Sequence, residues 1–214
     1  MNALELRRGQ SVADVGAGDG DFTVPLGRAV GPAGRVFATE VEDDKLEKVR
    51  AAVGAAGLAN VTVLRGAQST TGLPDGCCDA ILLRLVYHHF TDPAAMRRSL
   101  WSALKPGGRL VVVETTPQKA WRALPGVPER GGHGIPAKEL LADMEHDGFA
   151  VVDRYYEWPA EGDSYCVVFR RPSKASAAPA SRTPAASARG WAARSSSPAA
   201  TSTTRAGMAS SLFQ

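Results

Sequence analysis

Ser11-Val12-Ala13-Asp14-Val15-Gly16-Ala17-Gly18-Asp19-Gly20-Asp21-Phe22 is the stretch on which the reading of this chain turns. Val12, Ala13 and Val15 make an apolar run of the size of a buried strand, and three alternating glycines follow at once. Phe22-Thr23-Val24-Pro25-Leu26 then reads as the start of a helix. A strand that turns through a glycine-rich loop into a helix is the opening unit of a nucleotide-binding α/β sheet. Without Cβ the loop can adopt φ > 0, and a ligand can approach the main chain to contact distance. Roughly twenty residues on, Arg35-Val36-Phe37-Ala38-Thr39 makes a second apolar strand that ends at Glu40. A carboxylate there can accept two hydrogen bonds from the hydroxyls of a ribose.

The glycine spacing selects among cofactors. A dinucleotide loop, G-x-G-x-x-G, would place its third glycine at position 21, which is Asp21; the pattern present is D-x-G-x-G-x-G. It resembles motif I of the class I S-adenosylmethionine-dependent methyltransferases. An acidic loop (Asp14, Asp19, Asp21) suits that cofactor, which carries a sulfonium cation and no pyrophosphate. Leu104-Lys105-Pro106-Gly107-Gly108-Arg109-Leu110 before a β-branched run resembles a further motif of the same family, with Pro and two glycines ending a helix and reversing the chain. The resemblance covers nearly all of residues 1–172. It implies a three-layer Rossmann-like α/β sandwich, with a mainly parallel seven-stranded sheet and an antiparallel C-terminal strand pair. It further implies transfer of a methyl group to a small-molecule oxygen, nitrogen or carbon. The alternatives are a cofactor-binding protein with weak or lost catalysis and, against the glycine spacing, an NAD-dependent oxidoreductase.

The elements follow from pattern and punctuation. A helix is expected from Gly20 to about Val30, with Pro25 in or near its first turn. Another runs from Asp43 to Val53, carrying Leu46, Val49 and Val53 on one face. Val61–Arg65 and Asp79–Arg84 read as strands. Asp92-Pro93 is an N-cap followed by Pro at N1, opening a helix to Leu104. Strand five follows the turn at residues 105–108, a helix covers residues 135–144, and residues 149–155 and 164–170 are the late strand pair. In the family, helices usually precede motif I and help to close the site. Here a short lead-in, Leu4 to Gly9, precedes it, and the two readings of that departure are a late start and a more open site.

From the resemblance, the expected cofactor contacts are Asp14, Gly16, Ala17, Gly18, Gly20, Glu40, Ala67, Gln68 and Arg84. The family often places an acidic residue for the adenine amino group where this chain has Ala67 and Gln68, so Gln68 would serve through its amide oxygen. Arg84 ends strand four, where a buried unpaired charge is costly; its expected partner is Glu114, Asp14 or the cofactor's own carboxylate. Glu40 is expected to be an exposed strand-end carboxylate without other partners, with Glu42 the next candidate for the ribose. Tyr87 and His88 follow strand four at the carboxyl edge, where open α/β sheets bind ligands. Either can touch the cofactor or an acceptor, with His88 as a general base and His89 the weaker candidate. Glu114 and His133 are expected to contact substrate. Adjacent histidine side chains diverge, so no metal site is expected.

Composition sets the remaining bounds. No apolar run approaches the roughly 18 residues of a membrane helix, residues 1–8 lack the apolar core of a signal peptide, and a cytoplasmic protein is the expectation. Three cysteines make no disulfide framework; Cys78 and Cys166 read as buried hydrophobes, and Cys77 as a loop thiol. The formal charge of +3 includes five basic residues after Ser173, where no Asp or Glu occurs; without them the body stands at −2. That balance gives no support for nucleic-acid binding. Residues 173–214, rich in Ala, Ser, Thr, Pro and Arg without periodicity, read as a disordered tail.

Overall fold

Seven strands pair in the order β3-β2-β1-β4-β5-β7-β6. They are β1 Ser11–Val15, β2 Arg35–Glu40, β3 Val61–Arg65, β4 Cys78–Arg84, β5 Leu104–Thr115, β6 Ala150–Tyr155 and β7 Ser164–Arg170. The computed structural model describes residues 2–117, 134–156 and 164–173, all within the compact unit Met1–Ala178. Strands β1 to β5 are parallel, and β7 runs antiparallel between β5 and β6. The expected architecture is thus the observed one.

Alternation along the strands builds the layers, since successive side chains point to opposite faces. Val12, Val36, Ala80, Leu82, Val111 and Val168 pack on one face with Leu26 and Val30 of α1 (Thr23–Val30). Val49 and Val53 of α2 (Asp43–Ala55) join Ala38 on that same side. Ala13, Val15, Ile81, Leu83, Leu110, Val112 and Phe169 point the other way, against α3 (Pro93–Ala103) and α4 (Ala137–His146). β1, β4 and β7 are buried along nearly their whole length, as strands covered on both faces must be. Leu4, on the lead-in, is buried against the first face.

Two boundaries differ from the sequence reading for local reasons. α1 starts at Thr23 because Gly16, Gly18 and Gly20 all have positive φ and cannot be helical. Its far end is held by Asn60, whose amide donates to the carbonyls of Gly27 and Gly31 at 2.9 Å each. Pairing of β5 begins already at Leu104, opposite Cys78, and slips through Lys105-Pro106-Gly107-Gly108 before resuming at Arg109. Arg171 fastens this irregular turn. Its N–H donates to the Gly108 carbonyl at 2.9 Å and its carbonyl accepts from Gly107 at 2.7 Å. Its guanidinium donates to the carbonyls of Trp101 and Leu104 at 2.8 and 2.5 Å, over the Trp101 ring. A cation there satisfies the carbonyls left open at the C-terminus of α3.

Candidate functional site

The chain runs β1, β2, β3 to one side and β4, β5 to the other, so a crevice opens where the order reverses, at the carboxyl ends of β1 and β4. A cavity of about 640 Å³ lies there. A smaller one, about 70 Å³, adjoins it and shares Gly16, Glu40, Gln68, Val86 and His89 as walls.

The glycine loop forms one wall, and its glycines do different work. At Gly16 (φ +73°) a Cβ would come within 2.5 Å of Val86 Cγ2, so only glycine lets the loop and the chain after β4 close together. The N–H groups of Gly16 and Ala17 donate to the Thr39 carbonyl at 2.9 and 3.0 Å, which ties the loop to β2. Nothing lies within 4 Å of a Cβ built on Gly18, and that open space belongs to the cavity. Gly20 corrects the sequence reading. Its Cβ position faces Val49 of α2 at 3.5 Å, it is buried, and it is not a cavity wall. A Cβ would fit there at ordinary contact distance, so it is the φ of +90° that calls for glycine.

Glu40 continues that wall at the carboxyl end of β2. Only 7% exposed, it accepts from the Val41 N–H at 2.8 Å through Oε1 and from the Gly18 N–H at 3.0 Å through Oε2. It is therefore no partnerless strand end. It latches the glycine loop to β2, and each oxygen keeps a second lone pair for a ligand. Glu42, the next candidate, pairs with Lys45 at 2.9 Å on the same rim.

Asp14 is buried at the cavity floor and accepts from the Thr23 hydroxyl at 2.6 Å. Burial pushes its carboxyl up to about 6, with Glu40 adding to the rise; the Thr23 hydrogen bond and the Arg84 charge oppose it. Arg84, also on the wall, stacks its guanidinium over Phe22 at 4.9 Å. The next residue, Leu85, has φ +53°, a conformation few non-glycine residues adopt, and it too lines the cavity. That turn swings the chain off β4 into a short 3-10 turn, Tyr87–His89.

The turn distributes its three side chains differently from the sequence reading. Tyr87 is fully buried; its hydroxyl donates to Asp143 at 2.9 Å and accepts from Arg97 at 3.0 Å. Burial raises its phenol, so it is a packing group and not a base at the cavity wall. His88 is buried as well, with Nδ1 at 2.7 Å from Glu114 Oε2, the separation of a hydrogen bond to that carboxylate. Glu114 has no exposed surface and also accepts from the backbone N–H groups of His88 and Thr115 at 3.3 Å. It therefore pairs with His88 and not with Arg84. His89 lines both cavities, its ring 4.0 Å from that of His88. Gln68 lines both cavities and Ala67 the smaller one; His133 lies outside the described residues. Among the described residues no three His, Cys, Asp or Glu side chains are grouped to hold a metal, and no helix is long and apolar enough to cross a membrane.

Residues 13–112 match the family described as "Methyltransferase domain". This stretch is similar to a methyltransferase domain. Its ends fall in β1 and β5, so the match spans the glycine loop, Glu40 and the turn after β4. The ubiquinone/menaquinone biosynthesis C-methyltransferases UbiE of Pasteurella multocida and of an Enterobacter strain are 34% and 36% identical to this chain over 110 residues. Those residues are 51% of this chain but 41% and 44% of the relatives, so the matched stretch spans less than half of their length. A methyltransferase structure from Aquifex aeolicus superposes with a TM-score of 0.63 at 24% identity, covering 78% of this chain and 84% of that one. The [4+2]-cyclase SpnF superposes with a TM-score of 0.65 at 18% identity, covering 80% and 79%. Both show the fold of the methyltransferase domain, and SpnF shows that the fold alone does not set the chemistry.

Proposed function

We propose that this chain binds S-adenosylmethionine in the larger cavity and transfers its methyl group to a small-molecule acceptor by direct displacement. The observation that carries the reading is that an open-faced Gly18 and the Glu40 latched to it line one crevice together with the buried carboxyl of Asp14. The fit is chemical. Glu40 has lone pairs for ribose hydroxyls, Asp14 suits a cationic end, and Arg84 suits a carboxylate. Gln68 and Ala67 border the smaller cavity, of a size for part of a planar base. The sulfonium supplies an activated methyl group, so the protein's task is alignment. The loop between β1 and α1 fixes the donor side, while His89 and Val86 border the acceptor side. Because the UbiE relatives are C-methyltransferases of ubiquinone and menaquinone biosynthesis, precursors of those quinones are the first acceptors to test. A second reading, cofactor binding without turnover, is favoured by the withdrawal of Tyr87 and His88 into internal contacts.

S-adenosylhomocysteine at 100 times its Kd should stabilise the fold by about 2.7 kcal/mol, on the order of 5–10 °C in Tm, with little effect from NAD. A larger shift with NAD in scanning fluorimetry would overturn the reading. Turnover on a quinone precursor would exclude the second reading; binding without turnover on a broad acceptor panel would favour it.

Asp14 adds a pH signature. Its folded value, about 6, stands above the ordinary 3.8. It therefore favours the ligand-free fold at low pH, and that contribution is lost as pH rises through about 6. A cationic ligand end needs the carboxylate, so affinity runs the other way. S-adenosylmethionine should bind about tenfold more weakly at pH 5 than at pH 7.5, with a proton released on binding at the lower value. Equal affinities, or the same drop in Asp14→Asn, would show that Asp14 does not face the cationic end.

The domain is proposed to occupy residues 1–172, in a cytoplasmic setting and without a nucleic-acid partner. A chain ending at Pro172 keeps the Arg171 clasp and should retain Tm and cofactor affinity within error. A fall of several degrees would place residues beyond 172 in the folded unit.

A further inference from the structure

Cys78 opens β4 at the amino-terminal edge of the sheet, the edge opposite the cavity, and Cys77 precedes it on the loop. Their sulfurs lie 2.9 Å apart. Cys78 is buried and Cys77 half-buried. Beside them Gly76 has open space where its Cβ would be, and Lys105 is held by Asp79 at 2.8 Å. The two thiols thus share one small patch with a cation, and the half-buried Cys77 is its approach from solvent.

Two chemistries use adjacent thiols, and the backbone discriminates between them. Across a trans peptide the two Cα atoms stand about 3.8 Å apart, whereas disulfides span about 4.4–6.8 Å. Closing a direct S–S bond there forces the backbone. A chelate that inserts one further atom between the sulfurs does not require the Cα atoms to separate, and a centre whose bonds meet near right angles accepts two sulfurs in contact. Soft, thiophilic centres are the natural ligands of such a pair.

We propose that Cys77 and Cys78 form a vicinal dithiol site for a trivalent arsenical or a like thiophilic centre with two exchangeable oxygens. The Cys77 sulfur attacks first. The hydrogen bond from Cys78 and the Lys105 charge favour its thiolate, and it is the exposed partner; Cys78 then closes the ring. With a hydrated organoarsenical, two S–H and two As–O bonds break, two As–S bonds form and two waters leave. Arsenic stays trivalent, so no oxidant or reductant is needed.

The probe is phenylarsine oxide on the full chain, read by intact mass and by protection of cysteines from iodoacetamide. One phenylarsenic group per chain is expected, with Cys77 and Cys78 both protected and Cys166 not involved. The adduct should survive excess 2-mercaptoethanol and be released by 2,3-dimercaptopropanol. Cys77→Ser, at the half-exposed position, should lower the affinity at least about tenfold by losing the chelate, with Tm unchanged; Cys166→Ser should bind as the parent does. Absence of an adduct on the folded chain, or retention of the parent affinity in Cys77→Ser, would overturn the proposal. So would ready formation of an intramolecular Cys77–Cys78 disulfide with oxidised glutathione, because the backbone would then have the freedom denied to it above.

Discussion

Glu40→Gln should weaken S-adenosylhomocysteine binding at least tenfold and, without ligand, lower stability by about 1–3 kcal/mol. Both effects come from one count of lone pairs. Each carboxylate oxygen accepts a backbone N–H, from Val41 or Gly18, and keeps one acceptor site for a ribose hydroxyl. An amide must turn its NH₂ toward one of those donors, which leaves a buried N–H unsatisfied and loosens the glycine loop from β2. It also removes the charge that strengthens any hydrogen bond from the ligand. Calorimetric titration reads the first effect and urea unfolding the second. A variant with parent stability would show that the loop does not depend on the latch, and one with parent affinity would move the ribose to Glu42.

Arg97→Met should cost about 3 kcal/mol, roughly 6–12 °C in Tm for a chain of this size. Arg97 reaches Asp147 at 2.5 Å, Asp143 at 3.0 Å and the Tyr87 hydroxyl at 3.0 Å, and its side chain is 8% exposed. Removing one member of a buried ion pair strands the other. The low end of the usual range applies because Asp143 and Asp147 keep 28% and 24% of their side-chain surface in water. Arg97→Lys should recover only part of the loss, since an ammonium lacks the fork that meets three partners. Tyr87→Phe and Arg97→Met should be non-additive, because they share Asp143. Additive losses would mean that the contacts act separately.

The sheet was legible because its determinants are local. Glycines at 16, 18 and 20, the Asp92-Pro93 cap and the apolar runs of β1 and β4 each act within a few residues. The cavity wall was nearly as legible, since motif spacing puts Gly18 on the loop after β1 and Glu40 at the end of the neighbouring β2. What escaped depends on distance in sequence. Tyr87 looked like a cavity residue because Arg97 and Asp143, the latter 56 positions away, carry no mark of meeting it. His88 looked available because nothing near it announces Glu114. Gly20 looked like its two neighbours, yet it faces α2, lines no cavity and serves only the turn of the chain. Glu40 was rightly placed, but its stabilising role depends on a loop N–H that only the folded turn brings within reach.

The position of β7 bears on how the chain is made. Strands β1 to β5 emerge from the ribosome in sequence and can pair as they come, but β5 then waits. Its second neighbour is the last of the described strands, and β6, made earlier, has no strand of this sheet beside it until β7 slides between them. During that interval the row Arg109–Thr115 presents an apolar, unpaired edge, which is the kind of surface that captures other nascent chains. The Arg171 clasp closes one residue after β7 is complete, so the end of α3 is sealed in the same step. Early termination before residue 164 should therefore yield aggregates and not a smaller domain, and chaperone dependence in translation should end abruptly there.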